Sequence, residues 1–206
     1  MPSFILHQSR LAWPTDWNHI FGREASILLE IGFGGGGKLV ELAQNNPASN
    51  VLGIEISLPS LRRGIKKANT QKLDNVRVLQ GDSQTALWTM FLPGTISGVT
   101  INFPDPWPKK GHHHRRLINE RFLHLLATRM QPEAPLDIAT DHEAYALAIE
   151  ECLRQTPFFE SREDRPFLFQ IPDRRPTKYE QIALAAVRTP RYFLWRRTHP
   201  AAPKQF

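Results

Sequence analysis

Five short apolar runs, each followed by a stretch of helical period, decide the fold class of this 206-residue chain. Ile27–Ile31, Val51–Ile56, Val76–Asp82, Gly98–Phe103 and Pro135–Asp141 have strand length and are rich in Val, Ile and Leu. The segments between them are amphipathic. In Leu58–Leu73, for example, Leu61, Ile65 and Ala68 fall on one helix face and Arg62, Arg63, Lys66 and Lys67 on the other. Strands joined through helices run parallel, and a parallel sheet needs cover on both faces. The pattern therefore predicts an α/β fold with a doubly wound, mostly parallel sheet. After Pro157 the period changes. Phe158–Glu163 and Arg191–Arg197 look like strands on either side of a helix at Thr177–Arg188, which predicts an antiparallel C-terminal edge and a seven-stranded sheet. We expect a single domain, with an irregular N-terminal lead-in over 1–26, an α/β core over 27–156 and the C-terminal edge strands and helix over 157–206.

Charge narrows the partner. The 26 Lys and Arg exceed the 20 Asp and Glu, which points to a polyanion, either nucleic acid or a membrane surface. No apolar run is long enough to span a membrane, and the N-terminal MPSFILHQSRLAWP lacks the basic and apolar regions of a secretory signal. A lone cysteine, Cys152, cannot form an internal disulfide. It is expected to be a packing residue in a cytoplasmic protein.

Open α/β sheets bind ligands beyond the carboxyl ends of their strands, and acids collect there. Glu30 ends the first run, Glu55 the second and Asp82 the third. Gly32, Gly34 and Gly37 satisfy G-x-G-x-x-G, with Gly35 and Gly36 between them, a match that is weak taken alone. Glu30, two residues before the first glycine, sharpens it: a carboxylate there would repel a pyrophosphate and attract an ammonium group. Each acid also has a plain structural reading, as a surface acid, a solvated strand end or a helix N-cap. After the fourth run comes Asn102–Arg116, NFPDPWPKKGHHHRR. Prolines at every second position make a stiff extended mount for Asp105 and Trp107. Lys109, Lys110, His112, His113, His114, Arg115 and Arg116 follow. A solvated surface turn is the bland alternative. Three adjacent histidines point in different directions without ligand spacing, so no metal site is expected.

These motifs resemble two nested families. E-x-G-x-G-x-G at Glu30–Gly36 resembles the first motif of the S-adenosylmethionine-dependent methyltransferases. LEIGFGGG at Leu29–Gly36, GIEI at Gly53–Ile56, NFPDPWPKK at Asn102–Lys110, ATDHEAY at Ala139–Tyr145 and RPTKYE at Arg175–Glu180 resemble, in order, the bacterial tRNA (guanine-N7)-methyltransferases. The resemblance implies S-adenosyl-L-methionine as cofactor, tRNA as partner and guanine 46 of the variable loop as target. We expect a monomer or homodimer, with no obligate partner chain evident. It also implies that Glu30, Gly32, Gly34, Gly36, Glu55 and Asp82 bind the cofactor, with Glu55 on the ribose and Asp82 near the adenine. Asp105 would be the principal active-site acid; Lys109, Asp141, Thr177, Lys178, Tyr179 and Glu180 substrate contacts; and Lys110, His112–His114, Arg115 and Arg116 RNA contacts. The family usually carries more Arg and Lys where this chain has histidines, which implies a weaker or more pH-dependent RNA contact.

The chemistry is consistent with the resemblance. Guanine N7 has an in-plane lone pair and needs no general base, so the protein's work is positioning and electrostatics. A carboxylate, Asp105 or Asp141, could accept from guanine N1–H and the N2 amino group and leave N7 facing the cofactor. Trp107 could stack on a base or anchor the loop in the core. Thr177 and Glu180 also have the spacing of a capping box, and Asp141 that of an N-cap. Three other functions fit less well: exocyclic-amine methylation, for which Asn102–Asp105 is a poor match; a non-catalytic RNA-binding subunit, which would not need the acids; and a dehydrogenase, which Glu30 disfavours.

Overall fold

In the computed structural model, which describes residues 5–198, the alternation read from the sequence becomes one twisted eight-stranded sheet. The strands are β1 (Ile5–His7), β2 (Ile27–Ile31), β3 (Asn50–Glu55), β4 (Val76–Gln80), β5 (Ile96–Asn102), β6 (Pro135–Thr140), β7 (Phe159–Ser161) and β8 (Arg191–Arg197). Their spatial order is β1-β4-β3-β2-β5-β6-β8-β7. The strands β1 to β6 pair in parallel, while β8 runs antiparallel to both β6 and β7, as the change of period after Pro157 predicts. The order reverses between β2 and β5, and this is where a doubly wound sheet opens a crevice.

All seven expected strands are present. The eighth, β1, comes from the stretch expected to be irregular; Ile5, Leu6 and His7 extend the sheet beside Val78, Leu79 and Gln80. Three residues are too few to establish a period in sequence, so only the neighbouring strand reveals this one. The same stretch holds α1 (Trp17–Phe21), capped by Asp16, whose side chain accepts from His19 N, and closed by Gly22 at φ 73°. Residues 1–4 of the expected lead-in and 199–206 of the C-terminal segment lie outside the described residues.

Six further helices cover the sheet: α2 (Gly37–Asn45), α3 (Leu58–Thr70), α4 (Ser83–Met90), α5 (Glu120–Arg129), α6 (Glu143–Gln155) and α7 (Lys178–Ala185). The period-2 alternation of the strands separates two cores. Val51, Val76 and Val78 face α2 and α3 with Leu39, Ala43 and Leu61, whereas Leu52, Ile54 and Leu79 face the larger cluster that includes α4, α5 and α6. Cys152 packs half-buried against the larger cluster. No helix among the described residues is long and apolar enough to cross a membrane.

Candidate active site

The glycine turn between β2 and α2 is shaped by packing as much as by any ligand. Gly32, Gly34 and Gly36 have φ of 69°, 53° and 72°, a region that L side chains rarely adopt. Gly36 is buried, and a Cβ there would lie 2.4 Å from Gly64 Cα on α3. Its missing side chain allows the close approach of turn to helix. Phe33, the one apolar residue of the turn, fills the space left by Gly53 and Gly64, where a Cβ would meet its ring at 2.5 and 2.6 Å. Gly32 and Gly34 remain at the surface of the crevice.

Three acids at strand ends have three different environments. Glu55 ties the two turns together: its carboxylate accepts from Gly34 N at 3.0 Å and from Ile56 N and Ser57 N at 2.9 Å each. Asp82 caps α4, one oxygen accepting from Thr85 N and Thr85 Oγ1 at 2.8 Å, and its exposed side chain leaves the other oxygen free of any hydrogen bond among the described residues. Glu30 is 1% exposed; Oε1 accepts from Asn102 Nδ2 at 3.3 Å, and Oε2 is buried with no hydrogen-bond partner among the described residues. Burial pushes its carboxyl up from 4.5 to about 8, against the pull of the Asn102 hydrogen bond and of Lys38 and Arg174. Glu30 lines a crevice, and a carboxyl oxygen left without a partner there suits a ligand that brings its own positive donor, as the ammonium group of S-adenosylmethionine does.

The loop after β5 has a more bent backbone than its prolines imply. Phe103 and Trp107, each directly before a proline, have φ of 51° and 43°. The prolines do keep these residues out of the right-handed helical region, but into the left-handed one rather than the extended one. Bulky residues there store strain of about 1–3 kcal/mol each. Arg116 holds the loop down. It is buried, donates from Nε to Pro106 O at 2.8 Å, approaches His113 Nε2 at 3.1 Å and lies over the Tyr145 ring. Arg116 was expected to face RNA; it is instead an internal brace. Trp107 is half-buried and outside the core, with Arg115 over its face at 4.9 Å and His112 against its edge at 5.7 Å.

Two adjoining clefts result. The first, about 490 Å³, brings Gly32, Gly34, Glu55 and Asp82 together with Asp105, Trp107, Arg115 and Tyr179. The second, about 650 Å³, is lined by Glu30, Thr177, Lys178 and the basic face of α3. Gly32, Asn102 and Tyr179 belong to both. Lys109, Lys110, Asp141 and His112–His114 line neither. Asp141 pairs with Arg188 at 2.5 Å, and the N-cap of α6 is His142, which accepts from Tyr145 N through Nδ1.

The capping box at α7 is present: Thr177 Oγ1 accepts from Glu180 N, and the Glu180 carboxylate accepts from Thr177 N, both at 3.1 Å. Glu180 was expected to touch the ligand, but its carboxylate is fully used within the protein. It also pairs with Arg174 at 3.2 Å and accepts from Tyr192 Oη at 2.5 Å. Arg174 in turn donates to Asn102 Oδ1 at 2.8 Å. A polar relay thus runs from buried Glu30 through half-buried Asn102 and Arg174 to buried Glu180 and Tyr192.

The family model described as "Putative methyltransferase" matches residues 24–189. A tRNA (guanine-N(7)-)-methyltransferase of Streptomyces coelicolor is 37% identical over 91% of this chain and 70% of its own length. The chain belongs to the tRNA (guanine-N7)-methyltransferase family. Other relatives in this family are longer. The chain spans 46% of the enzyme of Thermus thermophilus, to which it is 45% identical over 69% of its length, and 65% of that of Paraburkholderia xenovorans, 41% identical over 82%. Solved structures share the fold at low identity. TrmN from Thermus thermophilus matches with a TM-score of 0.59 at 18% identity, covering 84% of this chain and 44% of its own. An RNA methyltransferase from Salinibacter ruber, solved with S-adenosyl-L-homocysteine, matches with 0.53 at 17%, covering 87% and 85%.

Within the tRNA (guanine-N7)-methyltransferase frame, sequence reasoning missed Asn102, Arg174 and Tyr192. Asn102 was visible as the first residue of the proline loop. Arg174 and Tyr192 carried no local signal, because their partners lie far along the chain.

Proposed function

We propose that this chain transfers the methyl group of S-adenosyl-L-methionine to N7 of a guanine in tRNA, with guanine 46 of the variable loop as the target its family resemblance implies. One observation carries the reading: Glu55 and Asp82 on the cofactor side and Asp105 and Trp107 on the substrate side line a single cleft. The bound sulfonium supplies an electrophilic methyl group. Glu30 holds the ammonium end, losing its proton as it does so. Glu55 and Asp82 offer acceptors for hydroxyl and amino donors further along the cofactor. Asp105, exposed at the cleft and unpaired among the described residues, accepts from guanine N1–H and N2, so that N7 faces the methyl group. Asp141, held by Arg188 outside the cleft, is the weaker candidate for this role. With the cofactor held there, its sulfonium would give the methyl group to N7 and keep the electron pair of the broken S–C bond on sulfur. The positive charge left on the purine is offset by the Asp105 carboxylate. The reading goes with a cytoplasmic protein that acts on tRNA as monomer or homodimer.

The test is to incubate the protein with unmodified tRNA and radiolabelled cofactor and to identify the labelled nucleoside. N7-methylguanosine is expected. Label in N6-methyladenosine, or cofactor binding without transfer, would defeat the proposal. Asp105→Asn removes charge from two hydrogen bonds and should cost about 3 kcal/mol, roughly 100-fold in turnover, with cofactor affinity within about twofold of wild type.

A further inference from the structure

The second cleft has a basic wall to which the reaction above gives no role. Its α3 side is formed by Arg63, Lys66 and Lys67, and Lys178 closes it from α7. Helix α3 contains four cations and no acid over 13 residues, so it accounts for most of the chain's excess of 26 Lys and Arg over 20 Asp and Glu. A face that is merely solvated usually mixes signs. Elsewhere in this protein it does: Arg154 pairs with Glu150 on α6, and Lys38 with Glu41 on α2. Arg62, Arg63, Lys66, Lys67 and Lys178 have no carboxylate within ion-pair distance among the described residues. The charge also reaches inward, since Lys67 Nζ comes within 3.6 Å of the place a Cβ on Gly37 would take, beside a first turn of α2 that holds no acid. The only acid on the lining, Glu30, is 1% exposed.

We propose that this wall binds the phosphates of the RNA strand on the side of the target nucleotide opposite the proline loop. The inference rests on tRNA being the substrate. A guanine that reaches a cleft of this depth must leave its stack, and its backbone then runs out of the cleft mouth in two directions. Arg115 serves one direction, at the rim of the first cleft, and the α3 cations serve the other, across Tyr179. Tyr179 is 58% exposed and shared by both clefts, so it sits where the strand would cross. The surface is cationic without planar stacking partners along α3, which suits a backbone track that does not read sequence.

The experiment uses the full chain with Arg63→Gln, Lys66→Gln and Lys67→Gln combined, all exposed helix positions where Gln is well tolerated. tRNA affinity is measured at several salt concentrations, cofactor affinity is measured separately, and Arg154→Gln serves as a control on another helix. The triple variant should bind tRNA at least about tenfold more weakly near physiological salt. Its log–log salt slope should be shallower by about 3, since each phosphate contact contributes roughly 1. Cofactor affinity and the identity of the methylated nucleoside should not change. An unchanged slope with wild-type methylation intact would overturn this inference alone. Weakened cofactor binding with normal tRNA affinity would also overturn it, by showing that the wall holds the cofactor's carboxylate. Failure of the wild-type protein to methylate guanine would instead remove the reading beneath it.

Discussion

Replacing Glu30 with Gln is expected to stabilise the cofactor-free protein, and to do so in a pH-dependent way. In the unfolded chain the carboxyl ionises near 4.5; in the folded protein burial holds it at about 8. Below the lower value both states keep the proton, and Glu30 imposes no ionisation penalty. As pH rises toward the higher value, the unfolded state loses its proton while the folded state retains it. Stability then falls by about 1.36 kcal/mol per pH unit and levels off about 5 kcal/mol lower. Gln keeps the shape and the oxygen that accepts from Asn102 Nδ2 at 3.3 Å, but it has no proton to lose. At pH 7 the variant should therefore gain about 3 kcal/mol, which in a domain of this size raises Tm by roughly 6–12 °C. The buried amide of Gln, lacking a partner, subtracts a constant from this gain at every pH. Thermal melts of both proteins from pH 4 to 9 without cofactor test the prediction through the slope of the difference. A Tm difference that does not grow between about pH 5 and pH 8 would refute the reasoning, because it would mean that Glu30 is already ionised in the free protein. Cofactor affinity provides the counterpart: binding through an ionised Glu30 should strengthen as pH rises toward 8, and Glu30→Gln should abolish that dependence.

Two further perturbations separate structural from functional charge. Arg174→Ala leaves the Glu180 carboxylate buried without its cation, so stability in urea should fall by about 3–5 kcal/mol, and adding Glu180→Gln should restore part of it. Arg116→Ala removes the bond to Pro106 O and the contact with Tyr145, which should lower stability by about 1–3 kcal/mol and turnover with it, while leaving the salt dependence of tRNA binding unchanged. A salt slope shallower by about 1 would return Arg116 to the RNA-facing set.

What was legible in the sequence is what depends on neighbours along the chain. Alternation of apolar runs with amphipathic helices identifies the parallel sheet, because both periods are local. The capping box at Thr177 and Glu180 and the cap at Asp82 were readable for the same reason. Strand β1 was not, because three residues become a strand only where β4 offers an edge. The positive φ of Trp107 was hidden too: proline excludes one backbone region for its predecessor without choosing among the others.

The acids show most clearly where local reading ends. In sequence Glu30, Glu55 and Glu180 are three carboxylates beside glycine- or proline-marked turns, and all three read as ligand contacts. Burial and partners separate them. Glu180 has three donors around it, Arg174 Nε, Thr177 N and Tyr192 Oη, and nothing left to offer, so it serves the relay. Glu55 receives three backbone N–H groups, which fix the glycine turn against it. Glu30 alone has a buried oxygen with no hydrogen-bond partner among the described residues. The relay behind it joins Asn102 to Arg174 across 72 residues, so no window along the chain could have shown that Glu30 and the C-terminal helix share a hydrogen-bond path. It follows that ionising Glu30 strengthens the pull on Asn102 and, through Arg174, on the segment carrying Tyr179. The residue that looked most like a simple ligand contact is therefore one end of a hydrogen-bond path that reaches the C-terminal helix.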